Sequence, residues 1–168
     1  VTNTSEKLEI DWYDPSFTPG STVSYEHNGA AITNVKILSE NGKQVNTLLT
    51  NTKYIYQYTV FFPDGAENVR FGMLIKTKSG LELGGAISAP TLSDAIVYVA
   101  PKTTMIIAFE FKTRLTPGAY FLNAGVTGCI NQKETYLHRI LDAAVFRVLA
   151  DNRSSSVTGL VDFESVNP

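Results

Sequence analysis

The sequence predicts an all-β domain, an antiparallel β-sandwich of about nine or ten strands. Three observations support this prediction. Val, Ile, Thr and the aromatic residues, which suit a pleated sheet, make up 61 of the 168 residues, whereas Ala and Leu contribute only 27. Apolar and polar residues alternate with a period of two over several segments. Turn residues separate these segments at intervals of about ten residues, which is typical of a sandwich.

The chain divides into a leading segment and one domain. Residues 1–28 are polar and are broken by Pro15, Pro19 and Gly20, with one short strand expected at 8–13. Residues 29–168 carry an almost continuous series of strand patterns, and no repeat or linker interrupts them. We therefore expect a single β-sandwich domain over 29–168.

The first predicted strand, 31–38, is followed by a hairpin turn at 39–42. Asn41-Gly42 favours this turn because both residue types accept a positive φ, and 43–45 begins the return strand. The segment 53–62 alternates most clearly. Its inward face is predicted to consist of Tyr54, Tyr56, Tyr58, Val60 and Phe62.

The second half of the chain continues the pattern. Alternation and turn residues predict further strands at 71–78, 81–87, 95–99, 103–112, 119–127, 143–149 and 158–163. The segment 133–141 is ambiguous, because its apolar residues also satisfy helical spacing. These residues are Tyr136, Leu137, Ile140 and Leu141.

Composition excludes several classes of protein. A net charge of −2 without a Lys/Arg cluster argues against nucleic-acid binding. No apolar run approaches the ~20 residues needed to span a bilayer. Cys129 is the only cysteine, so it forms no internal disulfide, which fits a reducing compartment. The sequence begins with Val1 rather than Met, and we expect it to be part of a larger protein.

Catalytic and metal-binding motifs are not found in the sequence. His27 and His138 lack a second ligand at metal-binding spacing, so each is expected to lie at the surface or at a rim. Glu110 and Asp142 are the carboxylates on which a glycan hydrolase would depend. We expect no catalytic residue, metal or cofactor in this domain.

The outward strand faces instead favour a binding function. They mix aromatic rings, which pack on the apolar face of a sugar, with amides and hydroxyls that bond its hydroxyl groups. Cations among them would pair with an anionic group. The predicted carbohydrate-binding residues are Gln57, Thr59, Phe61, Arg70, Lys76, Lys78, Phe121 and Asn123. The same faces equally suit a dimer interface or a half-buried sheet face without a ligand.

Several motifs, taken in order, resemble one known family. The matching stretches are 29–37, 40–42, 71–76, Gly80, Gly84, 109–111, 115–122, 142–148 and 159–162. Their order and spacing resemble the C-terminal domain of Wzt, the nucleotide-binding subunit of bacterial ABC exporters of O-antigen polysaccharide. The resemblance covers about 135 residues, from near Gly29 to Phe163.

The resemblance implies an immunoglobulin-like or jelly-roll-like sandwich that binds carbohydrate without catalysis. Such a domain would recognise the capped non-reducing end of the O-antigen polysaccharide in the cytoplasm, at the inner face of the inner membrane. Its partners would be an N-terminal ATPase domain and a membrane subunit. It would form a homodimer, with exchange of a C-terminal strand such as 158–163. The alternative is a structural dimerisation module that joins two ATPase subunits.

Overall fold

The computed structural model describes residues 11–150 and 156–164. It contains eleven strands in this part of the chain and one turn of 3₁₀ helix at Leu92–Asp94. The strands are β1 (Val23–Ser24), β2 (Ala31–Ser39), β3 (Gln44–Val45), β4 (Thr47–Leu49), β5 (Lys53–Phe62), β6 (Ala66–Thr77), β7 (Glu82–Ile87), β8 (Ile96–Val99), β9 (Thr103–Lys112), β10 (Gly118–Ile130) and β11 (Lys133–Leu149).

The strands form two sheets, which confirms the predicted β-sandwich. The larger sheet has the order β1-β11-β10-β6-β7, with β4 parallel to the end of β11 and β8 paired with the beginning of β6. The smaller sheet has the order β3-β2-β5-β9. All pairs except β4–β11 are antiparallel.

The core lies between the two sheets and is dominated by β5. All five of the side chains predicted to point inward from this strand are fully buried. Burying aromatic rings of this size supplies much of the hydrophobic driving force for folding. The facing side chains come from β6 and β10, among them Phe71, Leu122 and Val126. The boundaries of β5 and β9 agree with the sequence prediction.

The hairpin between β2 and β3 forms, but with a different turn from the one expected. Gly42 has a φ of 76°, whereas Asn41 is not among the residues with positive φ. The Gly42 N–H donates to the Ser39 carbonyl at 2.9 Å, and the Ser39 N–H donates to the Lys43 carbonyl at 2.8 Å. A single left-handed glycine after an ordinary turn makes a three-residue loop with a bulge.

The ambiguous segment 133–141 is a strand, and it continues into 143–149 as β11. Two register shifts against β10 interrupt its alternation. One shift falls at Leu137, which is buried together with the adjacent His138, and the other falls at residues 141–143. These bulges break the period of two, and that is why the sequence resembled a helix. His138, expected at the surface, is 1% exposed.

The predicted final strand at 158–163 was wrong. The segment forms one isolated bridge, between Val161 and Leu115. The Thr116 N–H donates to the Leu160 carbonyl, and no longer ladder develops around it. Gly159 has a φ of 83°, which turns the backbone away from an extended path.

The N-terminal part of the chain contributes more to the sheets than the sequence suggested. Trp12 bridges to Thr47, while residues 8–10 of the expected strand at 8–13 lie outside the described part. The two-residue β1 pairs with β11 at Leu141 and Ile140. Neither β1 nor β4 was predicted, because strands of two or three residues are too short to show a period.

Candidate functional site

The outer face of the larger sheet contains an open groove of about 420 Å³. Its floor is a pair of glycines on the two central strands, Gly72 of β6 and Gly125 of β10, which lie opposite each other in the sheet. Neither glycine has a positive φ, so the backbone does not require glycine at either position. Because both residues lack a side chain, the face is depressed here.

Apolar side chains bound the groove on both sides. Ile87 of β7 and Leu74 of β6 lie on one side, and Tyr136 of β11 lies on the other. A Cβ atom added to Gly125 would lie 3.2 Å from Cε1 of Tyr136, and one added to Gly72 would lie 3.8 Å from Cγ2 of Ile87. The tyrosine ring is 49% exposed, so its surface is open to a ligand.

A tyrosine from the other sheet supports the groove floor from below. The Tyr58 hydroxyl lies 3.0 Å from the carbonyl oxygens of both Gly72 and Gly125. Burial raises the pKa of Tyr58 far above its usual value, so the hydroxyl stays protonated and shares its one proton between these carbonyls. The floor is therefore anchored to the core.

Arg139 and two tyrosines form a ridge along the edge of the groove. The guanidinium carbon lies 5.0 Å from the ring centroid of Tyr136 and 5.9 Å from that of Tyr25. Both distances are within the range of cation–π attraction. Beyond this ridge lies a second hollow of about 410 Å³, also lined by Tyr136 and Arg139. The ridge thus borders two adjacent spaces of similar volume.

One wall of the groove carries a hydrogen-bonded ion pair. Arg70 donates to Glu134 from Nε at 3.0 Å and from Nη2 at 2.5 Å, and its Nη1 donates to the Ala89 carbonyl at 3.2 Å. The Thr127 hydroxyl donates to the same carboxylate at 2.9 Å. Hydrogen bonds from Arg70 hold the pKa of Glu134 below its usual range.

A second polar cluster surrounds Asp142, further along the same face. Lys76 Nζ lies 2.8 Å from Asp142 Oδ1, and the Ser21 hydroxyl donates to Oδ2 at 2.5 Å. The Asp142 N–H donates to the side-chain carbonyl of Asn123 at 2.9 Å. Asp142 has a φ of 49° at a bulge of β11, so these contacts stabilise the irregular strand.

The eight predicted binding residues lie on both outer faces of the sandwich. Arg70 and Asn123 line the groove. Lys76 and Phe121 lie on the same face, paired with each other across β6 and β10. Lys78 lies in the turn after β6. The remaining three, Gln57, Thr59 and Phe61, are on β5 and point outward from the smaller sheet. One ligand site cannot include both sets, because the core separates them.

The two residues that shape the groove most, Tyr136 and Arg139, were not predicted as binding residues. Both lie in β11, where the register shifts disguise which side chains point outward. The positions of two glycines in the sequence could have indicated the groove. Gly72 and Gly125 both occupy outward positions in strands that alternate clearly, and a missing side chain at such positions indicates a depression.

The two carboxylates considered for hydrolysis are on opposite sides of the molecule. Glu110 extends from the smaller sheet and forms an ion pair with Lys53 at 3.2 Å. Asp142 belongs to the larger sheet. In the described ranges, no three His, Cys, Asp or Glu side chains cluster as metal ligands, and no helix is long and apolar enough to cross a membrane.

The two-sheet architecture and the groove define a β-sandwich domain with a ligand-sized site on one face. The sequence profile of the Wzt C-terminal domain matches residues 21–163, so the chain belongs to that family. This confirms the resemblance drawn from the motifs. A crystal structure of the C-terminal domain of Wzt is 23% identical, covers 90% of each chain and superposes with a TM-score of 0.77.

Two further solved structures match with lower TM-scores. An alkylpurine DNA glycosylase of Pseudomonas fluorescens, bound to DNA with an abasic site analog, is 12% identical with a TM-score of 0.47. That match covers 75% of this chain and 32% of the glycosylase. A CARDB domain from Pyrococcus furiosus is 16% identical, covers 73% of this chain and 97% of its own, and has a TM-score of 0.42. No curated protein sequence matches the chain.

Proposed function

We propose that this domain is a non-catalytic carbohydrate-binding module that recognises the capped non-reducing end of an O-antigen polysaccharide for export by an ABC transporter. The observation that carries the proposal is the groove with its glycine floor and the exposed ring of Tyr136, in a domain of the Wzt C-terminal family. In the cell, the module would act in the cytoplasm beside an ATPase domain and a membrane subunit.

The chemistry of the groove suits a sugar. A pyranose has one apolar face, which packs on an aromatic ring, and hydroxyl groups that need donors and acceptors. The groove offers the ring of Tyr136, the amide N–H groups of Asn123 as donors and the hydroxyl oxygen of Thr127 as an acceptor. Its volume of about 420 Å³ lies within the range of small-molecule sites. Affinity is expected to be micromolar to millimolar, since hydroxyl groups exchange bonds with water for bonds with protein at little net gain.

A titration of ¹⁵N-labelled domain with the polysaccharide of its own cell, followed by amide NMR shifts, tests the proposal. Chemical-shift changes are expected at the amides of Gly72, Gly125 and Tyr136. Capped polysaccharide chains are expected to bind more tightly than uncapped ones. Tyr136→Ala is expected to weaken binding about tenfold, since a stacked ring contributes on the order of 1 kcal/mol. Tyr98→Ala is the matched control, because Tyr98 is 58% exposed on β8, outside the groove.

Two results would contradict the proposal. One is a titration in which no residue of the groove shifts at millimolar glycan. The other is equal binding of capped and uncapped chains. That result would refute recognition of the capped end, although carbohydrate binding itself would stand.

The dimerisation alternative is favoured by the outer face of the smaller sheet. Ile106 is 68% exposed and Phe61 is 39% exposed on adjacent strands of that face, beside Gln57 and Thr59. An exposed apolar face of this kind suits a contact between two copies of the chain. If this face forms the dimer, Ile106→Glu will convert a dimer into a monomer in analytical ultracentrifugation. Asn123→Ala, on the opposite face, will leave the mass unchanged.

A further inference from the structure

The cations on the groove face differ in whether a carboxylate neutralises them. Arg70 is paired with Glu134, and Lys76 is paired with Asp142. Arg139 has no carboxylate partner among the residues that the structure describes. The ligand-facing side of the groove therefore carries one uncompensated positive charge.

The position of Arg139 suits contact with a ligand. The Arg139 side chain lines both the groove and the second hollow, so a ligand bound in either space would contact it. The Tyr136 and Tyr25 rings border its guanidinium, and such contacts restrict the side chain while leaving N–H donors for other partners. A guanidinium of this kind binds carboxylate or phosphate oxygens through paired hydrogen bonds.

The acidic residues nearby do not neutralise the charge of Arg139. Glu134 already accepts hydrogen bonds from Arg70 and Thr127. Glu26 lines the second hollow but does not form an ion pair with Arg139. A bound oxyanion would therefore meet Arg139 without displacing an existing ion pair.

We propose that the glycan bound in this groove carries a negatively charged substituent, a carboxylate or a phosphate ester, and that Arg139 binds it. This inference rests on the proposed carbohydrate-binding function and narrows its ligand to an anionic glycan. It reassigns the anion contact that the sequence placed on Arg70, Lys76 and Lys78. The first two of these are neutralised, and Lys78 lies in a turn outside the groove.

The test uses one polysaccharide in three forms. The polysaccharide is purified from the cell that makes this protein and used untreated, after carbodiimide–borohydride reduction of its carboxylates, or after dephosphorylation in aqueous hydrogen fluoride. Binding of each form to the wild-type domain is measured by amide NMR shifts. One of the two treatments is expected to weaken binding at least about tenfold, and which treatment does so identifies the anion.

The Arg139→Gln variant distinguishes charge recognition from a structural role. It is expected to bind the untreated glycan about tenfold more weakly than the wild type and to bind the untreated and neutralised glycans equally. A merely structural role would weaken both by the same factor. Arg147→Gln is the matched control, since Arg147 is also on β11 and lies 4.0 Å from the centroid of an aromatic ring, that of Phe17, away from the groove. It is expected to bind like the wild type.

The outcomes separate the two proposals. If the wild type binds all three forms equally well, or if Arg139→Gln retains the preference for the untreated glycan, the anion proposal is overturned and carbohydrate binding stands. If none of the three forms shifts residues of the groove, carbohydrate binding at this site fails, and the anion proposal fails with it.

Discussion

The hydroxyl of Tyr58, on the smaller sheet, donates a hydrogen bond to the carbonyl oxygen of Gly72, on the floor of the groove in the larger sheet. The same hydroxyl reaches the carbonyl of Gly125. One core hydroxyl thus shares its proton between two backbone carbonyls at the place where the outer face has no side chains. The groove depends on the packing of the whole sandwich and not only on the strands that line it.

Tyr58→Phe is expected to lower the free energy of unfolding by about 1 kcal/mol, because the buried hydrogen bond that the hydroxyl shares between the two carbonyls is lost. Tyr56→Phe is the control. The Tyr56 ring is equally buried, but its hydroxyl has no hydrogen-bond partner among the described residues. Removing that hydroxyl is expected to leave stability unchanged or raise it. Urea denaturation of the two variants measures the difference, and an equal loss in both would refute the anchoring role of Tyr58.

Gly72→Val is expected to abolish glycan binding while the domain stays folded. A Cβ at Gly72 meets its nearest atoms at 3.7 and 3.8 Å, which is ordinary contact, and valine suits a strand. Its methyl groups would fill the floor of the groove. Gly84→Val is the matched control, because nothing lies within 4 Å of a Cβ at that position on β7, outside the groove. If Gly72→Val binds glycan as well as Gly84→Val does, the groove is not the binding site.

The Lys76–Asp142 ion pair is expected to contribute much more to stability than the exposed pair Lys53–Glu110. Side-chain exposure is 18% and 12% in the first pair, against 54% and 65% in the second. Asp142→Asn leaves Lys76 without a counter-charge in a largely buried place, at a cost of about 2–4 kcal/mol. Asparagine accepts the positive φ, so the substitution leaves the backbone unstrained and removes the charge together with one of the two acceptor oxygens.

Glu110→Gln provides the exposed comparison. Its effect on the free energy of unfolding is expected to stay below about 1 kcal/mol, because water and salt screen the pair. Asp142→Asn combined with Lys76→Met is expected to recover part of the lost stability. Equal effects of Asp142→Asn and Glu110→Gln in urea denaturation would show that the cluster around Asp142 has no structural role.

The sequence was most informative where strands are regular. The period of two in β5 predicted its buried face correctly from Tyr54 to Phe62, because β5 pairs with β9 over its whole length without a register shift. It was least informative in β11. There, bulges at two points change which face a side chain occupies, and no local pattern reveals where a bulge falls.

The candidate site was only partly predictable for a related reason. Alternation predicted that Gln57 and Asn123 both point outward from the sandwich. It did not reveal which of the two sheets each residue belongs to, because that depends on strand order. Strand order is set by pairings between distant parts of the chain, such as β6 with β10, which leave no local signature. The charge on Arg70 looked available in the sequence because its partner, Glu134, is 64 residues away.

His138 holds three segments of the chain together. Its Nδ1 accepts a hydrogen bond from the Ile32 N–H at 2.8 Å, and its Nε2 lies 3.1 Å from the Tyr25 carbonyl. These contacts require the neutral ring with its proton on Nε2. Burial, together with the nearby His27, holds the pKa of His138 below its usual value of 6.5.

A folded-state pKa below the unfolded one means that the unfolded chain binds the proton more readily. Stability from this group is therefore complete above about pH 6.5 and declines as the pH falls through that value toward the folded-state pKa, by about 1.4 kcal/mol for each pH unit between the two. Glu134, whose pKa is also lowered, contributes a separate loss only below its usual value of 4.5. The decline between pH 7 and pH 5 consequently reports on histidine.

Urea denaturation at several pH values between 8 and 5 measures the effect. His138→Asn is expected to be less stable than the wild type at pH 8 but to lose the decline below pH 6.5. His27→Asn removes the neighbouring ring, whose centroid lies 4.3 Å away, and is expected to keep a smaller decline, because burial, the larger cause of the lowered pKa, remains. A wild-type stability that stays constant from pH 7 to pH 5 would contradict the assigned neutral state, and an undiminished decline in His138→Asn would assign the proton to another group.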